Sequence, residues 1–459
     1  MDKSNNIELI IRGKTFLAHN TLLSVPYPQT LSFEATNFCN LACSHCGHSQ
    51  FPGFSKGHFD MKYFHKVEHL LGTQIKGLAL SNFGEPFMSK TWQDLLSKSL
   101  SLKSTQISFI TNGLLLDRHI EEVLDPRISL AISVDGASEE TYGFFRDKNN
   151  FSKLTANLTL LKEAKSAEGI SFPPVTFLFT VSRINSDDLP RIIDMAATFG
   201  VAVIIVQFQI FYNRERFTRE SLFFAKDAYD RDIASARRRA AALGITLIHP
   251  DSFNGQTVVP KETLANWLSL NTEGNVVCAS LSAVCHIKYN GIIEACCAPD
   301  HNIMGSLDFD SFEDIWNGPQ YRDLRLNLDR GIWPDRCRSC SLIQVIDVND
   351  ARAHFTELSS PGVEKKPAPQ SYRITEVERI YQEALSFMNN DPEGAIRSLD
   401  RMPFTDDSLY ELRNLEACLR GLRGDLHAMR AGFTKCFTIA PKDPIVRDNY
   451  TTLSALCLG

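Results

Sequence analysis

The sequence predicts an α/β fold: a partial (β/α)6 barrel, then a small cysteine-rich domain, then a helical, repeat-like C-terminal domain. Three observations carry that expectation. Six short apolar runs alternate with helical segments between residues 30 and 210. Nine of the twelve cysteines fall in two clusters, at 39–46 and 278–340. Beyond residue 372 strand-like runs disappear and helical periodicity takes over.

Residues 1–29 form an N-terminal extension before the first core strand. In the core, 30–210, the runs LSFEAT, GLALSNF, QISFITN, ISLAISV, VTFLFTV and VAVIIVQF are rich in β-branched and aromatic residues and read as buried strands. MKYFHKVEHLL, TWQDLLSKSL, KLTANLTLLKEA and LPRIIDMAATF between them have helical spacing, so the sheet is parallel and covered by helices. Six units suit an open, partial barrel better than a closed eight-fold one. In such sheets the functional residues lie at the carboxyl ends of the strands. A connecting segment, 211–280, carries one helix over 226–243 and a short strand, ITLIHP. The cysteine-rich domain spans 281–356, and 357–372, with its Pro, Ser and Lys, is a linker.

The last domain, 373–459, repeats itself. Asn390-Asp391 and Gly424-Asp425 stand 34 residues apart, each before a helix with small or apolar residues at matching offsets (Ala395 and Leu399, Met429 and Phe433), and Pro441 closes the second unit. This pattern resembles the tetratricopeptide repeat, with Met429 and Cys436 where the consensus has alanines. Two units and a trailing helix are fewer than such arrays need, so the piece is expected to dock on the catalytic body.

Composition narrows the class. With 43% hydrophobic and 22% charged residues the chain can bury a large core, and a net charge of −6 gives no nucleic-acid footprint. Arg237-Arg238-Arg239 reads as the solvated face of a helix. No apolar stretch approaches the ~20 residues of a membrane helix, and the N-terminus lacks a signal-peptide core. A cytoplasmic location is the expectation. In that reducing compartment clustered cysteines point to metal rather than disulfides.

FEATNFCNLACSHCGHS places Cys39, Cys43 and Cys46 directly after the first strand. Thiolates spaced C-x3-C-x2-C can hold three corners of an iron–sulfur cube and leave the fourth iron open. On this motif alone, a zinc site completed by His45 or His48 competes. The next three strand ends decide between them: Gly84-Glu85-Pro86, Thr111-Asn112-Gly113 and Ser133-Val134-Asp135-Gly136 follow in order on the same rim.

With these motifs the chain resembles the radical S-adenosylmethionine (radical SAM) superfamily, whose core is a TIM-like partial barrel. The resemblance implies a [4Fe–4S] cluster on Cys39, Cys43 and Cys46, whose fourth iron takes the amino and carboxylate groups of SAM. It implies that Gly84, Glu85 and Pro86 match the GGEP-type motif that binds the methionine amino group, with Phe83 in place of the first glycine. Asn112 stands on the same rim. Ser133 and Asp135 match the strand-four motif. Arg146 matches the basic residue that meets the SAM carboxylate, a task suited to a guanidinium fork. His45 takes the place of the aromatic that packs on adenine.

The second cysteine group resembles the SPASM and twitch extensions of that superfamily. Cys285, Cys296 and Cys297 flank an Asn290-Gly291 hairpin turn, a Gly305-Ser306-Leu307 … Ser311-Phe312-Glu313-Asp314-Ile315-Trp316-Asn317 stretch follows, and Cys337-x2-Cys340 closes the group. After Cys340 no cysteine occurs until Cys418, so one auxiliary [4Fe–4S] cluster on Cys285, Cys296, Cys337 and Cys340 is the economical reading. Cys297 is the alternative to Cys296, Cys278 a stray ligand, and a zinc knuckle the competing metal site. Cys418, Cys436 and Cys457 read as core thiols without a role.

The expected activity is reductive cleavage of SAM to a 5′-deoxyadenosyl radical that abstracts hydrogen from a substrate, with a flavodoxin- or ferredoxin-like electron donor. Peptide or protein side-chain modification is the favoured substrate class, on account of the appended repeats, which are also the expected site for a protein partner. Against it, only about thirty residues precede the first core strand, too few for the leader-peptide-binding domain often fused to peptide maturases. A dehydrogenase acting on a small alcohol, sugar or aminocyclitol is the second reading. A non-catalytic iron–sulfur scaffold is the third.

Overall fold

The computed structural model describes residues 7–19, 27–50, 55–146, 150–169, 175–211, 214–250, 252–253, 268–270, 276–297, 303–329, 374–388, 390–401, 410–441 and 443–456. The chain divides into two compact units. One comprises 1–26, 304–332 and 367–459; the other comprises 27–303 and 333–366.

The first unit joins the two ends of the chain. Strands β1 (Ile7–Ile11) and β2 (Lys14–Ala18) pair as an antiparallel hairpin. Its two-residue turn places Arg12 at φ 48 and Gly13 at φ 74, the doubly left-handed turn whose twist matches paired strands. Alternation along the hairpin sends Leu9, Ile11, Phe16 and Ala18 into a core shared with Val377, Tyr381, Leu415, Met429 and Phe433. Phe16 stacks flat on Phe433 with centroids 5.3 Å apart. The helices span Ile374–Phe387, Pro392–Leu399, Tyr410–Leu422, Leu426–Ile439 and Pro444–Leu456. Asp391 and Asp425, the acidic residues of the 34-residue repeat signal, cap two of them by accepting the N–H groups of Gly394 and Ala428.

The sequence reading keeps 1–29 and 373–459 apart, whereas here the hairpin completes the helical core. It covers the face bearing Asn414, Cys418 and Asn449, all three bonded to the backbone of Leu17. Cys418 and Cys436 are fully buried, as expected of core thiols, while Cys457 lies outside the described residues.

The second unit is built on β3 (Thr30–Phe33), β4 (Gly77–Ala79), β5 (Gln106–Thr111), β6 (Ile128–Ser133), β7 (Val175–Val181) and β8 (Val203–Phe208), each parallel to the next. These are the six expected strands in the expected order. Two further pieces extend the same sheet. Strand β9 (Thr246–Ile248) adds to β8. A small antiparallel pair, β10 (Leu268–Leu270) and β11 (Val276–Cys278), precedes the second addition. There β12 (Val284–Ile287) runs parallel to β3, and β13 (Ile292–Glu294) folds back on it. The cysteine-rich hairpin is therefore a sheet neighbour of the first barrel strand, whereas the sequence reading gives it a domain of its own. Phe33, Phe59 and Phe64 pack under the first strand, with Phe33 and Phe59 at 4.8 Å.

Candidate active site

The cysteine loop leaves β3 at its carboxyl end and is tied down by backbone bonds. Cys46 N–H donates to Cys43 O at 3.1 Å, and Ser44 N–H donates to Phe145 O at 3.0 Å. His48 Nε2 lies 2.8 Å from Asn37 O, joining the far side of the loop to its entry. Burial pushes the Cys39 thiol up to about 11 and the Cys43 thiol up to about 12, and raises Cys46 as well. Each charge would also oppose its neighbours, because Cys39 and Cys43 both lie within the field of Cys46.

Three thiolates in such a place need a cation to be the stable form. The donor set therefore fits a bound metal centre. Among the described residues no three side chains stand at the geometry of a single ion's ligands.

Gly84 opens the next loop at φ 84, and a Cβ there would come within 2.4 Å of Thr36 O and 2.7 Å of Phe38 O. Only glycine allows this loop to lie directly on the chain entering Cys39. Glu85 N–H donates to Phe38 O at 2.8 Å, a second tie to the same segment. The Glu85 side chain turns inward. Its Oε1 accepts from Thr111 Oγ1 at 2.6 Å and its Oε2 from Asn112 N at 2.8 Å. Burial pushes this carboxyl up to about 7, against those hydrogen bonds. Pro86 begins a short turn behind it. Asn112 donates through Nδ2 to Asn40 Oδ1 at 2.7 Å, tying the third motif to the cysteine loop.

Ser133 ends β6, and two residues on Asp135 is fully buried. Asp135 Oδ1 accepts from Thr180 N at 2.8 Å, and Oδ2 accepts from Arg146 Nε at 2.5 Å. The same Oδ2 lies 3.3 Å from His45 Nε2. Burial pulls the His45 imidazole down to about 4, only partly opposed by Asp135, so this ring is neutral near pH 7. Its edge meets Phe145 at 5.5 Å. Arg146 ends the helix Glu139–Arg146, and its positive charge favours the thiolate forms of Cys39, Cys43 and Cys46.

The structure therefore brings Cys39, Cys43, Cys46, His45, Gly84, Glu85, Pro86, Asn112, Ser133, Asp135 and Arg146 to one rim. Within that group, Glu85 and Asp135 direct their carboxylates to the protein. Sequence reasoning did not anticipate Arg216, which chelates the buried Glu220 and approaches Ser44 Oγ at 3.4 Å. Nothing in its local sequence marks it apart from a surface arginine.

In the cysteine-rich hairpin Cys285 is buried in β12, and Cys296 follows β13. Cys278 ends β11, and Ser280 Oγ reaches Cys296 Sγ at 4.0 Å. Burial raises the Cys278 thiol, and the charge of Cys296 would raise it further. Cys297 is exposed. Cys337 and Cys340 lie outside the described residues.

Comparison with known families agrees with this geometry. Residues 33–196 match the radical SAM superfamily, and residues 278–341 match SPASM, an iron–sulfur cluster-binding domain. The chain carries a radical SAM domain followed by a SPASM domain. That domain begins at Cys278, and neither match extends beyond residue 341. This radical SAM chain is 25% identical over 184 residues to a probable GTP 3′,8-cyclase of Methanocaldococcus jannaschii, covering 39% of its own length and 59% of the cyclase. It is 22% identical over 394 residues to the PqqA peptide cyclase of Xanthomonas campestris pv. campestris, covering 81% of itself and 96% of that protein. Its fold is similar to that of native anSMEcpe with bound AdoMet, at a TM-score of 0.53 and 13% identity over 72% of this chain and 96% of the other. Among the described residues no helix is long and apolar enough to cross a membrane.

Proposed function

We propose that this enzyme cleaves SAM reductively and uses the radical to modify a peptide or protein side chain. The observation that carries the SAM half is the Gly84 loop lying on the backbone that enters Cys39, so that a motif able to bind the methionine of SAM would stand next to the cysteines that would hold the cluster. The substrate half is supported by the similarity that runs over most of this chain and nearly all of a peptide cyclase.

A [4Fe–4S] cluster on Cys39, Cys43 and Cys46 would supply one electron to bound SAM, releasing methionine and a 5′-deoxyadenosyl radical that takes a hydrogen atom from the substrate. The protein's own part is to hold and shield. Backbone groups of Gly84 and Glu85 meet the methionine amino group, Arg146 answers its carboxylate, and neutral His45 packs on the adenine. Asp135 holds Arg146 and His45 through the same carboxylate oxygen, and Glu85 pins the Gly84 loop to Thr111 and Asn112. In the SPASM domain Cys278, which the sequence reading sets aside as a stray ligand, would join Cys285 and Cys296 in holding one auxiliary [4Fe–4S] cluster, with the remaining ligand from Cys337 or Cys340. A flavodoxin- or ferredoxin-like protein donates the electron. The hairpin β1–β2 already fills one face of the C-terminal helices, so the peptide is assigned to the barrel mouth and a partner protein to other faces.

The test uses reduced, anaerobically reconstituted full-length protein with SAM and perdeuterated cell extract split into peptide and small-metabolite fractions. The expected result is deuterium in 5′-deoxyadenosine from the peptide fraction alone. No 5′-deoxyadenosine at all overturns the SAM reading. Deuterium arriving from the small-metabolite fraction overturns the peptide reading and leaves the small-alcohol or sugar dehydrogenase in its place.

A further inference from the structure

The β12–β13 hairpin carries cysteines at its root and touches the barrel rim with its tip. Glu34, the first residue after β3, is fully buried, and its N–H donates to Ile287 O at 2.9 Å. Its carboxylate is answered by the tip: Lys288 Nζ donates to Oε1 at 2.7 Å, and Tyr289 N–H donates to Oε2 at 3.4 Å. The same Lys288 ammonium stands 4.6 Å from the centroid of Phe83, the residue immediately before Gly84. Glu294 Oε2 approaches that ammonium at 3.7 Å. Tyr289 reaches the other arm of the cysteine loop. Its hydroxyl is 2.7 Å from Ser55 Oγ, its carbonyl accepts from Asp60 N–H at 3.3 Å, and its ring would lie 2.2 Å from a Cβ on Gly57.

From this geometry we infer that Lys288 is a positioning residue for SAM. The auxiliary hairpin holds the Gly84 loop through Phe83, and Phe83 stands where the motif ordinarily has glycine. A largely desolvated ammonium over the face of an aromatic ring favours one placement of that ring, and Lys288 supplies it to Phe83. Glu34 supplies the charge that keeps Lys288 in place, and the parallel pairing of β12 with β3 makes the hairpin a rigid lever. Lys288 thus acts on SAM through Phe83 and Gly84 and does not touch the reacting atoms.

This inference rests on the proposed SAM site at the same rim, and the wild type separates the two. If reconstituted wild-type protein fails to bind radiolabelled SAM in equilibrium dialysis, that site is wrong. With wild-type binding established, Lys288→Met should weaken SAM affinity about tenfold at unchanged iron content. It should also reduce the change that SAM produces in the electron paramagnetic resonance spectrum of the reduced cluster. Lys288→Arg should stay within about threefold of wild type, since the guanidinium keeps both the ion pair and the ring contact. Lys288→Met with Glu34→Gln should remain weak, because removing the unpaired carboxylate does not restore the hold on Phe83. Wild-type affinity in Lys288→Met, or recovery in the double variant, overturns the inference. Should Lys288→Met fail to load iron, Phe83→Leu keeps the Glu34–Lys288 pair and must itself weaken SAM several-fold; a Phe83→Leu protein that binds SAM normally overturns it equally.

Discussion

Asn449 pairs with the backbone of Leu17 as a neighbouring strand would. Its Oδ1 accepts from Leu17 N at 2.8 Å, and its Nδ2 donates to Leu17 O at 2.7 Å, across 432 residues of sequence. Nδ2 also donates to Asn414 Oδ1 at 2.8 Å, and Asn449 is 1% exposed. Replacing it with leucine leaves the Leu17 amide without its partner in a buried place. Asn449→Leu should cost roughly 2–4 kcal/mol. Denaturant unfolding of the full chain measures the loss, and hydrogen exchange at Leu17 localises it. Unchanged exchange there would show that the amide pairing is dispensable.

The same unit should weaken in acid. Burial pushes the Asp443 carboxyl up, but hydrogen bonding to His19 and to Val446 N–H and Tyr410 outweighs it, and the net shift is downward from 3.8. A depressed carboxylate stabilises the fold fully above its unfolded value, and that contribution disappears as pH falls through the lower folded value. Protection of the helices Tyr410–Leu422 and Pro444–Leu456 against hydrogen exchange should therefore fall as pH drops below 3.8. In Asp443→Asn it should be lower at neutral pH and lose that acid dependence. An Asn variant with the wild-type pH profile would assign the acid sensitivity to other groups.

These two contacts also show where sequence reading stops. The barrel strands were legible because each is a short β-branched run between helical repeats, and parallel order follows from chain order. The rim motifs were legible because their spacing is local to each strand end. A hairpin whose core partners lie hundreds of residues away has no local signature, so 1–29 reads as an unattached extension. Likewise β12 looks like part of a separate domain, since nothing in Val284–Ile287 specifies Thr30–Phe33 as its neighbour. Cys278 reads from the sequence only as a stray ligand, since no local spacing ties it to Cys285 and Cys296. Glu85 and Asp135 match their motifs, yet nothing in those motifs distinguishes a carboxylate that faces the ligand from one that, as here, is bonded inward.

Glu85 should accordingly behave as a strut. Glu85→Ala leaves the Asn112 amide and the Thr111 hydroxyl hydrogen without their acceptors inside the barrel and opens a cavity. The expected loss is roughly 3 kcal/mol, seen in unfolding of the metal-free protein, where no SAM or cluster chemistry contributes. If the apo-protein keeps its stability and only SAM binding suffers, Glu85 belongs to the cofactor contact and not to the frame.

The last expectation concerns which thiols hold the auxiliary cluster. Two cubes give about eight irons per chain after anaerobic reconstitution, and changing Cys39, Cys43 and Cys46 together to alanine should leave about four. Cys278 lies within the field of Cys296, and Ser280, two residues on, brings its Oγ to 4.0 Å from Cys296 Sγ, while Cys297 is exposed. Cys278→Ala should therefore also drop the iron to about four, and Cys297→Ala should keep about eight. Alanine at 278 removes little volume from an edge strand, so a folding defect is a weak explanation for lost iron, and circular dichroism of the same sample excludes it. If Cys278→Ala keeps its full iron, the four ligands are Cys285, Cys296, Cys337 and Cys340, and Cys278 is only a buried neighbour. If wild type itself carries about four irons, unaffected by Cys278, Cys285 or Cys296, then these three thiols hold no cluster, and the SPASM segment serves the barrel through its sheet pairing with β3 alone.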